Sequence, residues 1–410
     1  MVDHLFRHES GKMVAVLTRV FGFANIEQAE DIVQDTLIRA LETWRFGKIP
    51  DNPQAWLYRT AKNKAIDLIR RQKVKHKIES ELAPLLKSEY TLVPSMNEMF
   101  RENEIKDSQL RMMFACCHPA IALESQLTLM LKTLCGLSSK EIGNAFLSSE
   151  DTIQKRLYRT KEKIKEERIS LEYPGADSMP VRLDTVLKAL YLLFNEGYNS
   201  SHPEKLIRDD LCEEAIRLTL LLTENPKTNL PQTNALLALM CFQASRFGAR
   251  LDDKGFMVLL KDQDRTHWNK FLIQRGNEYL NSAAEGDMIH EYHFEAAIAS
   301  LHANAKSYEE TNWSLILQLY NSLSSRTQNP MVAINRCIVL GEVEGYEKAI
   351  SELEKIKGFN NNCYYNASLG EMYLKAGNKN EAISYFQKAL ELTSSNAEIE
   401  LIRRKINMCK

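Results

Sequence analysis

Apolar residues recur along this chain at spacings of three and four, while the two-residue alternation of a half-buried strand is rare. That pattern predicts helices almost throughout. Amphipathic runs cover about 12–23, 27–46 and 54–73, then 108–117, 123–135, 138–146 and 149–168. Residues 76–107, with Pro84, Pro94 and mixed charge, read as a linker. A second linker, 171–180, contains two prolines and a glycine between Tyr173 and Pro180. Beyond it, helical patterns run to the C-terminus. The predicted fold is all-α, in three folded parts: 1–75, 108–170 and 181–410. A chain of 410 residues exceeds what one compact core holds, which agrees with that division.

Within the second part, Ser138-Ser139-Lys140-Glu141 reads as a capping box, Ser138 accepting an early backbone N–H and Glu141 reaching back. Ile142 and Phe146 form the apolar stripe of a short helix. A second helix follows Ser148 or Ser149, with Glu150 and Asp151 well placed against its dipole. Ile153, Leu157, Thr160 and Ile164 fall on its buried side. Asp151, Lys155, Tyr158 and Arg159 project oppositely, with Gln154 at the edge. Two short capped helices, the second polar and basic outside, describe a helix-turn-helix that reads duplex DNA. Arg, Lys and Gln there suit base edges, and Arg156, Lys161, Lys163 and Lys165 suit phosphates. A plain helical hairpin with a solvated face is the structural alternative.

The helix over 54–73 has a different polarity. From 54 to 77 there are eight Lys or Arg against one acid, Asp67. Leu57, Ala61, Ala65, Leu68 and Ile69 line its apolar side. Arg59, Asn63, Asp67 and Arg70 line the other, with Trp56 at the head and Lys62 and Arg71 adding charge. Charge for phosphate, amides for base edges and a ring for stacking are what unpaired bases require. An inward-turned Trp56 is the alternative for that residue. On the preceding helix, Asp31, Gln34 and Asp35 make an acidic and amide edge, which repels phosphate and suits a basic protein partner.

Charge adds an asymmetry that the net value of -1 conceals. Residues 1–170 carry 27 basic against 23 acidic residues, and the remainder 26 against 31. Contact of the acidic C-terminal part with the basic faces is therefore electrostatically favoured. The eight cysteines include no CxxC and no zinc spacing with histidine, so reduced, packed thiols and a cytoplasmic location are expected. Cys116-Cys117-His118 carries adjacent side chains about 100° apart on a helix, a poor geometry for one ion. The longest apolar run, Ala235–Phe242, is far below the roughly 20 residues that span a bilayer, and no signal-peptide core is expected.

Ala29–Trp44 followed by Ala55–Arg71 resembles region two of the extracytoplasmic-function sigma factors, a group of the sigma-70 family. Gly136–Ile142 through Arg156–Lys161 resembles region four, and the two occur in that order across a linker. The resemblance implies a subunit of bacterial RNA polymerase that recognises and melts promoters. Asp31, Gln34 and Asp35 match the edge that meets the core enzyme. Trp56, Arg59, Lys62, Asn63, Arg70 and Arg71 match the face that reads the melted downstream element. Asp151, Gln154, Lys155, Arg156, Tyr158 and Arg159 match the helix that reads the upstream element as duplex.

The part beyond 181 exceeds the common pattern of that group. Leu369, Gly370, Tyr373, Ala382, Phe386 and Ala389 match the small and large positions of a tetratricopeptide unit near 363–396. Leu190–Tyr198, Arg250-Leu251-Asp252, Leu260–Arg265 and Cys116–Pro119 resemble a subgroup of these sigma factors with a long C-terminal helical domain. The implication is an attached domain that modulates the sigma factor. Asp252, Asp262, Asp264, Arg265, His293, Glu295 and His302 supply titratable groups, but HExxH and a glycine-rich phosphate loop are absent, so ion pairs that fix packing are expected rather than catalysis. No catalytic residue, metal or cofactor is predicted. The rival functions are a helix-turn-helix regulator with a helical sensing or dimerisation domain, and a helical scaffold.

Overall fold

The computed structural model describes residues 2–46, 49–73, 89–146, 148–199, 207–253, 255–286, 288–393 and 395–410. Helices carry the fold, and the β pairing among the described residues is one isolated antiparallel bridge, Leu251 with Met257. The chain parts into two compact units, Met1–Leu193 with Glu213–Leu221 and Phe194–Cys212 with Leu222–Lys410.

The first unit is built around α1 (Val2–Phe21), against which α2 (Ile26–Phe46), α3 (Pro53–Lys73) and α5 (Glu102–Cys116) pack. Met13, Ala15, Val16, Leu17 and Val20 are fully buried on it. The helix starts well before the predicted residue 12. Its early charges interrupt an apolar pattern but are bound: Glu9 takes a 3.0 Å contact from Lys12 and a hydrogen bond from the Tyr58 hydroxyl on α3. Arg19 Nη1 then pins α5 through Glu104 at 2.8 Å and Asp107 at 3.0 Å.

The expected linker 76–107 is largely helical where it is described; residues 74–88 lie outside the described residues. α4 (Glu89–Met99) buries Leu92, Met96 and Met99 at helical spacing, and α5 begins at Glu102. Pro94 lies inside α4 on its exposed side, so a residue that usually stops helices is carried by the packing of its neighbours.

α6 (Leu123–Thr133), α7 (Ser139–Ala145) and α8 (Glu150–Glu166) follow. Ser138 N donates to Glu141 Oε2 at 2.8 Å, and Glu141 N donates to Ser138 Oγ at 3.2 Å, so both halves of the capping box are made. Ser149 caps α8 through Thr152 N, and Ile153, Leu157, Thr160 and Ile164 are its buried residues. Cys116 and Cys117 are buried thiols, and burial pushes Cys116 up to about 12.

α9 (Met179–Tyr198) and α10 (Asp209–Thr223) contribute to both units. The units therefore part inside these helices and not at 171–180. The reason is packing: Leu183, Val186, Leu187 and Leu190 are buried, and Arg217 on α10 donates to Glu214 and, at 3.3 Å, to Gln109 of α5.

In the second unit, α11 (Pro231–Ala244) is apolar on nearly every face and packs against α13 (Lys270–Ala283) and α14 (Glu291–Asn304). The short α12 (Phe247–Arg250) follows, and farther along the chain Trp268 is buried. The guanidiniums of Arg246 and Arg265 stand 5.4 and 4.7 Å from its ring. Arg265 also donates to the carbonyls of His302 and Ala305 at 2.6 and 2.7 Å, capping the end of α14. The titratable residues singled out in this part are spread through it. Asp252 faces Arg404 at 3.8 Å, Asp264 caps Thr266 N, and His293 completes the cap of α14. Burial, with Arg246 and Arg265 nearby, holds His302 neutral, down to about 3.

The unit continues as α15 (Trp313–Ser324), α16 (Pro330–Glu344), α17 (Tyr346–Leu353), α18 (Cys363–Lys375), α19 (Lys379–Leu392) and α20 (Asn396–Cys409). Leu369, Ala382, Phe386 and Ala389 are buried where α18 meets α19. A Cβ on Gly370 would stand 2.7 Å from the Phe386 ring, so that position has no room for a side chain.

Candidate polymerase and nucleic-acid faces

The first unit exposes three polar faces, each on the side of a helix opposite its buried stripe. On α2, Ile32, Val33, Thr36, Ala40 and Trp44 turn inward. Asp31, Gln34 and Asp35 are thereby exposed together on the outer side. Asp35 Oδ2 receives Lys64 Nζ of α3 at 3.1 Å, which ties the acidic edge to the basic helix beside it. The next turn exposes Ile38 (45%) and Leu41 (52%). Sequence reasoning missed these two as candidate contacts, although Ile38, four residues beyond Gln34, and Leu41, seven beyond it, lie on the same side.

On α3, Leu57, Ala61, Ala65, Ile66 and Ile69 are buried, and Leu68 is half-buried. Arg59, Asn63, Asp67, Arg70 and Arg71 are exposed on the other side. Lys62 sits between the two, its ammonium donating to Asn97 Oδ1 of α4 at 2.5 Å. Trp56 departs from the expected stacking platform. It is half-buried and meets Trp44 edge-on at 5.5 Å, with Trp44 in turn against Phe6. The indole finds more apolar surface against these rings than it would have outside.

On α8, Asp151, Gln154, Lys155, Tyr158 and Arg159 are exposed, Tyr158 at 63%. Lys155 is held by Asp151 at 2.7 Å, one turn away. Arg156 departs from the expected outer face. It turns toward Glu124 at 2.9 Å and Thr128 at 3.3 Å on α6, with its guanidinium 6.0 Å from the Phe146 ring. Two lysines expected to meet phosphate are likewise engaged within the unit. Lys161 meets Glu30 of α2 at 2.6 Å, and Lys165 meets Glu27 at 3.4 Å. Arg7 of α1 meets Glu141 of α7 at 2.8 Å. These ion pairs join α7 and α8 to α1 and α2 while the outer sides of α2, α3 and α8 stay exposed.

Among the described residues, no group of three or more His, Cys, Asp or Glu is placed to hold a metal ion, and no helix is long and apolar enough to cross a membrane.

Comparison with known proteins gives two family matches. Sigma-70 region 2 matches residues 5–74, and a family of unknown function, DUF6596, matches residues 182–284. The uncharacterized protein R00370 of Rhizobium meliloti is 34% identical over 391 residues, 94% of this chain and 90% of that protein. The ECF RNA polymerase sigma factor SigE of Mycolicibacterium smegmatis is 26% identical over 164 residues, 40% of this chain and 60% of that protein. The ancillary SecYEG translocon subunit of Buchnera aphidicola is 32% identical over 111 residues, 26% of this chain and 58% of that protein.

Proposed function

Because the chain belongs to one family with the Rhizobium meliloti protein and carries a sigma-70-region-2-like segment at its head, we propose that it is a non-enzymatic RNA polymerase sigma factor of the extracytoplasmic-function group, working in the cytoplasm. In this reading residues 1–75 act as region two and 108–170 as region four. The observation that carries it is that one compact unit exposes an acidic edge on α2 and two basic faces, on α3 and α8, at the same time. The α2 edge, with Asp31, Gln34, Asp35 and the adjoining Ile38 and Leu41, docks on the core enzyme. Arg59, Lys62, Asn63, Arg70 and Arg71 meet the melted downstream strand. Asp151, Gln154, Lys155, Tyr158 and Arg159 read the upstream element as duplex, through α7 and α8 acting as a helix-turn-helix. Trp56 and Arg156 act as positioning residues, since both spend their side chains inside the unit. A plain helix-turn-helix regulator has no use for the α2 edge or for the match over 5–74.

Run-off transcription with bacterial core polymerase, with and without the protein, tests the reading. Promoter-dependent transcript should appear only when it is present; core polymerase that gains no promoter specificity from it overturns the assignment. Asp31→Arg with Asp35→Arg should abolish co-purification with core while leaving helical content unchanged. Retention of core by that double variant removes the α2 edge from the mechanism. Arg159→Ala should cost on the order of 1–3 kcal/mol in binding duplex upstream-element DNA if it contacts a base. Equal affinity for wild type and variant across candidate promoters denies Arg159 that role.

Residues 181–410, with a tetratricopeptide-like unit near 363–396, regulate the sigma regions in cis in this proposal. Their acidic balance against the basic faces of α3 and α8 supports it. Neutralising Glu309, Glu310, Glu347 and Glu391 to Gln in the full chain should change run-off transcription and its salt dependence. Unaltered transcription at every salt concentration leaves recruitment of another protein as the role of this part.

A further inference from the structure

Among the described residues of the first unit, α4 is the helix that the sequence pattern did not anticipate, and it packs against α3. Two contacts fix its direction. The rings of Tyr58 and Phe100 meet at 5.6 Å, and Lys62 Nζ meets Asn97 Oδ1 at 2.5 Å. The higher number on one side faces the lower on the other, so the helices run antiparallel. Two further turns along both bring Tyr90 abreast of Ile69 and Arg70.

With Leu92, Met96 and Met99 buried, α4 exposes Tyr90, Thr91, Val93, Pro94, Asn97 and Glu98, the last paired with Arg101 at 2.6 Å. Tyr90, Val93, Pro94 and Asn97 form an uncharged stripe along it, and Tyr90 is 93% exposed. Beside it runs the row Arg59, Lys62, Asn63, Arg70 and Arg71. One helix therefore offers cations and amides, and its neighbour offers a ring, a proline and a valine. Lys62 is drawn toward the seam by Asn97.

We infer that α4 forms the second wall of a track for an unpaired DNA strand, with Tyr90 as a base-stacking residue. The inference rests on the reading of α3 as the single-strand face. An unpaired strand carries phosphates along one edge and open base faces along the other, which is the complement of this pair of helices. A duplex keeps its base faces stacked inside and has nothing to place against an uncharged stripe. The charge next door decides against an apolar protein partner: a helix seated on the stripe would desolvate Arg71 and the Arg70–Asp67 pair, which stands at 3.9 Å, and bring no charge of its own to offset that cost.

The test uses the full chain with a fluorescein-labelled single-stranded oligonucleotide, and the same sequence as duplex, in binding titrations at fixed salt. Tyr90→Ala should weaken single-strand binding by about five- to a hundredfold and leave duplex binding unchanged. Tyr90→Trp should preserve single-strand affinity, and its emission should be quenched as the strand binds. Arg59→Ala with Arg70→Ala is titrated in parallel. If the arginine variant loses affinity and Tyr90→Ala does not, the α4 wall is wrong and the α3 face stands. If neither variant changes affinity, the α3 reading itself fails. Loss of core polymerase retention by Tyr90→Ala, with oligonucleotide binding intact, assigns the stripe to a protein partner and overturns the inference.

Discussion

Replacing Gly11 by alanine will lower the unfolding temperature of the first unit, and replacing it by valine will lower it further. A Cβ at this position would stand 2.0 Å from Leu134 O and 2.7 Å from its carbonyl carbon. Both are backbone atoms, so no rotamer change can make room. On helix propensity alone alanine gains about 1 kcal/mol over glycine inside a helix. Overpacking of this kind costs about 1–3 kcal/mol or more, so the clash decides the sign. The site joins α1, which belongs to the region-two-like segment, to the end of α6, from which α7 and α8 hang. One turn before Gly11 on α1, Arg7 meets Glu141 of α7. The variant is therefore expected to loosen α8 as well as to melt earlier. Gly175→Ala serves as the control, because nothing lies within 4 Å of a Cβ there. Circular-dichroism melts of the full-length variants check this; a Gly11→Ala protein that melts with wild type would show that α1 and α6 do not approach so closely.

What periodicity could read was the side of each helix that meets its neighbours. Ile153, Leu157, Thr160 and Ile164 on α8, Leu57, Ala61 and Ala65 on α3, and the Ser138–Glu141 box are local patterns, complete within one or two turns. Which charges reach solvent was not legible in the same way. Arg156, Lys161 and Lys165 look alike along the sequence, yet each meets a carboxylate on another helix. Lys161 finds its partner 131 residues away. A pattern within α8 holds no information about Glu30. The first half of α1 was missed for the same reason, since Arg7 is met by Glu141 of α7 and Glu9 by Tyr58 and Gln54 of α3. Pro94 hid α4, because the apolar spacing of Leu92, Met96 and Met99 was outweighed by a residue that normally stops a helix. The boundary expected at 171–180 follows a true break in helicity, but the packing of α9 and α10 carries the first unit past it.

Acidification will destabilise the protein partly through one carboxylate, Glu9, and Glu9→Gln will remove that share. Glu9 is 3% exposed. Burial alone would raise its pKa. The contacts with His8, Tyr58 and Lys12 outweigh burial and hold it down to about 2. In the unfolded chain a glutamate titrates near 4.3. A depressed folded pKa means that the folded state takes up this proton later than the unfolded state. The stabilisation is therefore fully present above about pH 5 and is lost as pH falls toward about 2. A gap of roughly two units corresponds to about 3 kcal/mol at neutral pH. The glutamine variant keeps the shape and an acceptor for the Tyr58 hydroxyl, but it leaves Lys12 without its charge partner at 3.0 Å. It should melt several degrees lower at pH 7, and the gap to wild type should shrink to about half by pH 3. Other depressed carboxylates, such as Glu342 and Glu371 in the second unit, will leave a residual slope in both proteins. The effect reaches the candidate DNA face through geometry. Glu9 Oε2 accepts from Tyr58 at 2.5 Å and from Gln54 at 3.2 Å, which anchors the first turns of α3 just ahead of Arg59 and Asn63. Glu9→Gln should accordingly weaken single-strand binding at neutral pH more than duplex binding. Melting temperatures measured from pH 3 to 8 for both proteins decide the matter, and curves that stay parallel over that range would remove Glu9 from the account of acid sensitivity.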